Sequence, residues 1–283
     1  MRSPNSEDYA ELRQLMIEQI DELDPDRSAA LALSGGVDSA TLLFAMLESG
    51  RRPRCFTFYV EGVVSNDLVA SRRLAQHFGV ELVECMIPCD LDKVMDDCRT
   101  LVPLAAVVKQ TVIQCMHPWL YLCPALQAYG HDKVITGLGA DDLYCTQRKV
   151  QVLLHTKGEQ AVVDAGYRQL YAAHMGFSTG NIIAMSRARY GIDVLDAYSQ
   201  PRIHAWFLQF TIESLHRPHE KSASLFAFKD YFTRGAFRRL RDPYQAGSGL
   251  KALHEALLVR PDLNVRRMKS PISIYNDIKM GRV

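Results

Sequence analysis

Several things are scarce in this sequence. No apolar run approaches the ~18 residues needed to cross a bilayer, so no membrane helix is expected. The opening residues, Met1-Arg2-Ser3-Pro4-Asn5-Ser6-Glu7-Asp8, lack the apolar segment of a secretory signal. Excess charge is also missing, since 33 Lys and Arg face 32 Asp and Glu for a formal net charge of +1. Such a balance offers no field for wrapping a polyanion, so nucleic acid is not the expected partner. A local basic cluster does stand at Arg238-Arg239-Leu240-Arg241. The seven cysteines are odd in number and irregularly spaced, which suits reduced thiols in a cytoplasm better than a disulfide framework. Internal repeats and low-complexity segments are absent.

What is present is ordinary for a soluble globular chain: 283 residues, 48% apolar and 23% charged. That length allows one large domain, or a main domain with a smaller helical extension. The spacing of Leu12, Met16, Ile17, Ile20 and Leu23 predicts an amphipathic helix over Ser6–Leu23, with Ser6 as its cap. A short apolar run, Ala29–Leu33, then reads as a buried strand, and Val37–Glu48 as a helix ending at Gly50. The alternation continues with a strand at Arg54–Val60, a helix at Asn66–Phe78 and a strand at Glu81–Ile87. Helices follow at Leu91–Arg99 and Pro118–Tyr129, then a strand at Lys133–Thr136. This pattern predicts an α/β fold, a parallel twisted sheet with helices on both faces. After about residue 150 strand signals fade, and helices are predicted at Gly158–Met175, Asn181–Tyr190, Ile203–His216 and Leu250–Leu258. The expected division is a core with an N-terminal helix over residues 1–150 and a mainly helical region over 151–283 that completes the substrate site. The last dozen residues are expected to be poorly ordered.

Two glycine loops begin where strands end, and ligands of such sheets sit beyond the carboxyl ends of the strands. The first is Leu33-Ser34-Gly35-Gly36-Val37-Asp38-Ser39. Glycines let backbone N–H groups approach a ligand closely, the following helix aims its own N–H donors there, and the serines add hydroxyls. The arrangement predicts a phosphate cradle, although the Lys-Ser/Thr pair of a Walker A loop is missing. A carboxylate beside a polyphosphate makes sense only with a bridging cation, so Asp38 predicts Mg²⁺. A helix start with serine caps and no ligand is the plainer alternative.

The complete strand, loop and helix resembles the pyrophosphate motif of the N-type ATP pyrophosphatases, which cleave ATP between the α- and β-phosphates. Within that superfamily the likeness is to the synthetase domain of asparagine synthetase and its β-lactam synthetase relatives. It rests on Phe56–Gly62 followed by Ser65-Asn66-Asp67-Leu68, on Ala75–Glu81, and on Val134–Leu143, whose Gly137-Leu138-Gly139-Ala140-Asp141-Asp142 resembles Ser-Gly-Glu-Gly-Ala-Asp-Glu. Weaker likeness extends through Asn181–Asp193 and through Lys229–Phe237, the latter set against Lys-x-x-Leu-Arg-x-Ala-Phe with one extra residue. The resemblance implies ATP and Mg²⁺ as cofactors. Leu33 and Tyr59 would border the adenine, while Ser34, Gly35, Gly36, Val37, Asp38 and Ser39 hold the pyrophosphate. Asp38 and Asp141 would share the metal, Gly137 would pass close to the α-phosphate, and Lys229 would stabilise developing charge, with Lys221 as second candidate.

Three departures qualify the likeness. Arg2 follows Met1, where the family's glutaminase half has its terminal cysteine nucleophile, so that half is not expected. Nitrogen is therefore expected from free ammonia, an amine substrate or a separate donor protein. Leu138 stands where the family has a glutamate thought to act as acid and base, and a leucine moves no proton. Leu195–Gln200 also differs from the family's substrate segment. The expected activity is AMP-forming adenylation of a small-molecule carboxylate, or a similar oxygen, followed by amide formation; a homo-oligomer is compatible with it. A nucleobase- or sulfur-modifying enzyme is the first alternative, and a nucleotide-binding subunit without turnover the second. Cys85 and Cys89 are one residue too far apart for a CxxC relay and read as structural, as does Cys145. His216 and His219 flank Pro218 and read as a turn rather than metal ligands. Trp119 and Trp206 read as core or pocket aromatics, and Ser34 lacks a G-x-S-x-G elbow.

Overall fold

The computed structural model describes residues 2–167, 177–234, 248–264 and 269–283. Five parallel strands form one sheet: β1 (Ala30–Ala32), β2 (Cys55–Val60), β3 (Leu82–Ile87), β4 (Lys133–Thr136) and β5 (Asp193–Asp196), in the order β3-β2-β1-β4-β5. The chain thus builds outward from β1 to β3, returns beside β1 as β4, and ends at β5. The strand order reverses between β1 and β4, and that switch point is where open α/β sheets leave a crevice for ligands.

In the first half the helices are α1 (Ser6–Leu23), α2 (Val37–Glu48), α3 (Asn66–Phe78), α4 (Leu91–Leu104), α5 (Gln110–Met116), α6 (Trp119–Ala128) and α7 (Ala140–Leu143). The second half carries α8 (Arg148–Asp164), α9 (Phe177–Tyr190), α10 (Pro201–Leu208), α11 (Ser222–Ala227), α12 (Lys229–Arg234), α13 (Leu250–Ala256) and α14 (Pro271–Lys279). Successive strand residues serve opposite faces, as the two-residue period of a strand requires. Ala30 and Val134 pack with α4, α5, α6, α9, α13 and α14. Their neighbours Leu31 and Ile135 pack with α1, α2, α7, α10, α11 and α12.

Most predicted elements lie within a residue or two of their expected bounds, and the differences have identifiable causes. The cap of α1 is Asn5, not Ser6: its side chain accepts from the Glu7 and Asp8 N–H groups, and Asp8 accepts from the Asn5 N–H, closing a capping box. Helix α4 runs on to Leu104, with Pro103 in its last turn, and α5 was not expected. The expected helix over Gly158–Met175 is displaced toward the N-terminus as α8, with Gly158 at a kink, and residues 168–175 of it lie outside the described residues. Helix α10 stops at Leu208, well short of the expected His216. β5 was also unforeseen. Four residues with an aspartate at each end carry no strand signature, and pairing of Lys133–Thr136 with Asp193–Asp196 makes them one. Both Trp119 and Trp206 are buried in the core.

The C-terminal segment is ordered as a helix, contrary to expectation, because α14 packs on α4 with Ile274 and Tyr275 buried. A chain of buried hydrogen bonds ties it down. The Asp97 carboxylate can only accept, so His117 donates from Nε2 to Asp97 Oδ2 (3.0 Å). His117 Nδ1 is hydrogen-bonded to His254 Nε2 (2.9 Å), and His254 Nδ1 to the Tyr275 hydroxyl (2.7 Å). The Tyr121 hydroxyl and the Lys93 ammonium complete the shell of Asp97. Burial works against the Asp97 charge, but hydrogen bonds from His117, Lys93 and Tyr121 outweigh it and hold the carboxyl below its ordinary value.

Burial, and then the neighbouring His117, hold His254 well below its ordinary 6.5. A group depressed in the folded state contributes stability above its unfolded pKa and loses it in acid. Denaturation followed from pH 7.5 to 5 should therefore show stability falling as pH drops below about 6.5. His254→Gln should flatten that slope. Tyr275→Phe removes the buried hydrogen bond between its hydroxyl and His254 Nδ1 and should cost about 1–3 kcal/mol at pH 7.5.

Candidate active site

The register pairs Leu31 with Ile135, so the loops after β1 and β4 leave the sheet at the same level. The first loop is braced internally. The Ser34 N–H donates to Ser39 Oγ (3.1 Å), the two serine hydroxyls lie 3.0 Å apart, and the Gly36 N–H reaches Ser34 Oγ at 3.4 Å. Gly35 has φ +75°, and a Cβ there would lie 2.5 Å from the Ala70 Cβ and 2.8 Å from the Ser71 nitrogen. Helix α3 is thus pressed against the loop, and only glycine permits that approach. Ser71 adds a hydroxyl donor to the Leu33 carbonyl (2.8 Å), and the Leu33 N–H is held by the Phe56 carbonyl at 2.8 Å. Both backbone groups of Leu33 are therefore engaged within the fold, and its side chain is buried. Tyr59 lies half-buried near the end of β2.

The second loop closes on the first. A Cβ at Gly137 would meet the Asp38 Cβ at 3.0 Å and the Ser39 nitrogen at 3.2 Å. Gly137, expected near a phosphate, forms the seam between the two loops. Leu138 turns instead toward the apolar cluster on the α4 side of the sheet. Gly139, at φ +84°, caps α7, whose first turn holds Asp141 and Asp142.

Between the loops lies a lysine. Lys221 Nζ donates to Asp38 Oδ2 at 2.5 Å and to Asp141 Oδ1 at 2.6 Å. Two carboxylates from loops about a hundred residues apart thus share one cation position. Lys221 is only 4% exposed, with its ammonium 5.7 Å from the centre of the Tyr144 ring. Burial alone would lower its pKa, but Asp38 and Asp141 outweigh that and hold the group charged. Its backbone takes φ +59°, a conformation uncommon for lysine. His216 supports that turn: its Nδ1 accepts from the Lys221 N–H (3.2 Å), so its Nε2 donates to the Tyr144 carbonyl (2.7 Å). The histidine pair flanking Pro218 is thus in a turn, as expected, with His216 bracing the lysine. The Tyr144 hydroxyl accepts from the Ser224 N–H (2.9 Å), joining α7 to α11, and the Tyr198 hydroxyl donates to the Asp38 carbonyl (3.2 Å).

Lys229, the first sequence candidate, is exposed at the start of α12. The second candidate, Lys221, is the one that meets Asp38 and Asp141. The signal that favours it is register. Lys221-Ser222-Ala223-Ser224-Leu225-Phe226-Ala227-Phe228 places its lysine and its Ala-Phe at the spacing of Lys-x-x-Leu-Arg-x-Ala-Phe without the extra residue that Lys229 requires. The end of that alternative, from residue 235, and the basic cluster at residues 238–241 lie outside the described residues.

Sulfur chemistry finds little support nearby. Cys85 is buried in β3, where burial pushes its thiol up to about 12, while Cys89 is exposed. Cys145 is buried, with its sulfur near the Asp142 carbonyl. Among the described residues no group of three or more His, Cys, Asp or Glu side chains could hold a metal by itself. A site made of two carboxylates therefore needs oxygens from a ligand to complete a shell around a hard cation.

Strand order, paired glycine loops and bridged carboxylates together describe an α/β protein whose two glycine loops meet at the switch point of its sheet. The asparagine synthase family matches residues 11–258, and the chain belongs to that family. It is, accordingly, an ATP-dependent synthetase of the amide-forming kind. No curated protein matches the chain. Among solved structures, NMN synthetase from Francisella tularensis shares 12% identity, with 83% of this chain and 98% of that one covered at a TM-score of 0.38. A likeness at that level carries nothing about function.

Gly35→Ala should test how closely the loop is built. The added Cβ must displace α3 or the loop, and an αL alanine costs about 1–2 kcal/mol in addition. Calorimetric titration with Mg·ATP should show affinity at least ~10-fold weaker, with the far-ultraviolet circular dichroism unchanged. Parental affinity would show that the loop does not carry the nucleotide.

Proposed function

We propose that this protein is an AMP-forming carbon–nitrogen ligase. In the first step an oxygen of a small-molecule carboxylate, or a similar oxygen, attacks the α-phosphorus of ATP and pyrophosphate leaves. In the second, ammonia or an amine attacks the acyl carbon and AMP leaves. The observation that carries this reading is the convergence of Asp38 and Asp141 on one cation position between two glycine loops. An ammonium group occupies that position, so the donor set suits positive charge.

Carboxylate and phosphate oxygens are the ligands Mg²⁺ prefers, so Asp38 and Asp141 fit as its protein ligands once the Lys221 ammonium has turned from them to the polyphosphate. Bound there, Mg²⁺ would supply neutralisation of the polyphosphate charge. Ser34, Gly35, Gly36, Val37 and Ser39 hold the pyrophosphate by backbone N–H groups and hydroxyls. Gly137 borders the α-phosphate, and Tyr59 borders the adenine. Leu33 contributes there by shaping the loop, because its N–H and carbonyl are already bonded to β2 and α3. Lys221 supplies the positive charge that stabilises the leaving pyrophosphate, in place of the exposed Lys229. The nitrogen donor is free ammonia, an amine, or a separate donor protein, and the balanced charge and reduced thiols suit a cytoplasmic setting.

Purified protein with Mg·ATP and pooled carboxylates should yield AMP and pyrophosphate, and ammonium should raise the yield of amide. ADP as the product would overturn the reading. Asp38→Ala should abolish detectable Mg·ATP binding. Lys221→Met should lower the rate of AMP formation by about 10²–10³-fold, the range for loss of one electrostatic donor. Lys229→Met should stay within about 2-fold of the parent; the reverse pattern would return the assignment to Lys229.

A further inference from the structure

Amide formation from an acyl-adenylate releases a proton from the attacking nitrogen, and some group must receive it. In the second loop, Leu138 cannot, and both Asp38 and Asp141 are held by the Lys221 ammonium. Another carboxylate lies against the same loop. Asp196, at the carboxyl end of β5, is 4% exposed. Its Oδ1 accepts from the N–H groups of Tyr198 (3.0 Å) and Ser199 (3.3 Å). Its Oδ2 accepts from the Ser199 hydroxyl at 2.5 Å. A Cβ built on Gly139 would lie 2.5 Å from Asp196 Oδ2 and 2.6 Å from Ser199 Oγ. The pair therefore sits directly on the backbone of the loop, one residue past Leu138, and the absence of a side chain at Gly139 makes room for it. Ser199 is half-buried while Asp196 is sealed behind it, so Ser199 is the member that a ligand can reach.

We infer that Ser199, backed by Asp196, receives the proton of the attacking nitrogen in the second half-reaction. This rests on the AMP-forming reading above. The balance is simple. Neutral ammonia or amine forms the C–N bond, the C–O bond to AMP breaks with its electron pair leaving on the phosphate, and the nitrogen proton passes to Ser199 Oγ. The Ser199 hydroxyl proton moves at the same time to Asp196 Oδ2, and Asp196 later returns one proton to water. Ser199 is the catalytic residue of this step, and Asp196 is a positioning residue that acts through it.

The electrostatic setting agrees. Burial, only partly offset by hydrogen bonds from Ser199 and Tyr198, lifts Asp196 to about 6, so it takes up and releases a proton near neutral pH. The elements packed against β5 are β4 and α9, which carry Lys133, Arg187, Arg189 and Tyr190, while Asp141 and Asp142 follow Gly139 in α7. Lys133 is paired with Asp26 and Arg187 with Asp193.

The test separates the two half-reactions in the full chain. With the carboxylate that supports AMP formation, pyrophosphate release reports adenylation, hydroxylamine traps the acyl-adenylate as a hydroxamate, and ammonium gives the amide. Hydroxylamine is the stronger nucleophile and depends less on a base. Ser199→Ala and Asp196→Asn should keep pyrophosphate release and hydroxamate formation within about 3-fold of the parent. Amide formation should fall by about 10²-fold or more, within the usual range for general base catalysis. Asp196→Asn keeps the Oδ1 acceptor of the turn and should remove the acid limb, near pH 6, from the rate profile for amide formation. Ser199→Thr should restore much of the rate. Equal losses in hydroxamate and amide, or an unchanged pH limb, would reduce the pair to a turn cap and overturn this inference alone. A parent protein that makes no AMP with any carboxylate would overturn the underlying reading instead.

Discussion

One buried ammonium group holds this architecture to its purpose. Lys221 lies 183 residues from Asp38 in sequence and 80 from Asp141, and all three meet at the switch point of the sheet. Two carboxylates brought together by adjacent loops repel one another, and desolvation would raise that cost in a protein interior. The lysine turns the repulsion into two short ion pairs, at the expense of taking its own charge out of water. That arrangement succeeds only because everything around the lysine is determined: His216 braces its backbone, the Tyr144 ring lies beneath its charge, and α11 is joined to α7 through Ser224. The ammonium thereby keeps the two carboxylates side by side.

The two glycine loops obey a constraint of distance rather than charge. Gly35 must admit α3, Gly137 must admit the first loop, and Gly139 must admit the Asp196 carboxylate. Each is a place where backbone touches a neighbour that a methyl group would push away. The loops are therefore braced against each other and against two flanking elements. Phosphate-binding loops that depend on backbone N–H groups need this rigidity, since peptide dipoles act only when their directions are held.

Away from the site, the α4 face of the sheet carries a second buried polar system. The series from Asp97 through His117 and His254 to Tyr275 joins α4, the end of α5, α13 and α14. Unlike Asp141, which is exposed, Asp97, His117, His254 and Tyr275 are all buried, and Tyr121 and Lys93 bond the Asp97 end. The effect of this series is to tie the C-terminal helix to α4 by hydrogen bonds as well as by apolar packing.

Local patterns in the sequence determined a great deal. The spans of α2, α3 and β4, the alternation that implies a parallel sheet, and the two glycine loops were all legible, because helix periodicity, caps and turn glycines act within a few residues. The family was legible for the same reason, since its signatures are contiguous. Asp193–Asp196 became a strand only by pairing with β4, and α14 became ordered only by docking on α4. Motif register already pointed to Lys221, but its burial against Asp38 and Asp141, with Lys229 left exposed, arises only in the folded chain. These outcomes depend on contacts between segments far apart in the chain, and hydrogen-bond pairing, desolvation and charge pairing exist only once the tertiary structure has brought those segments together.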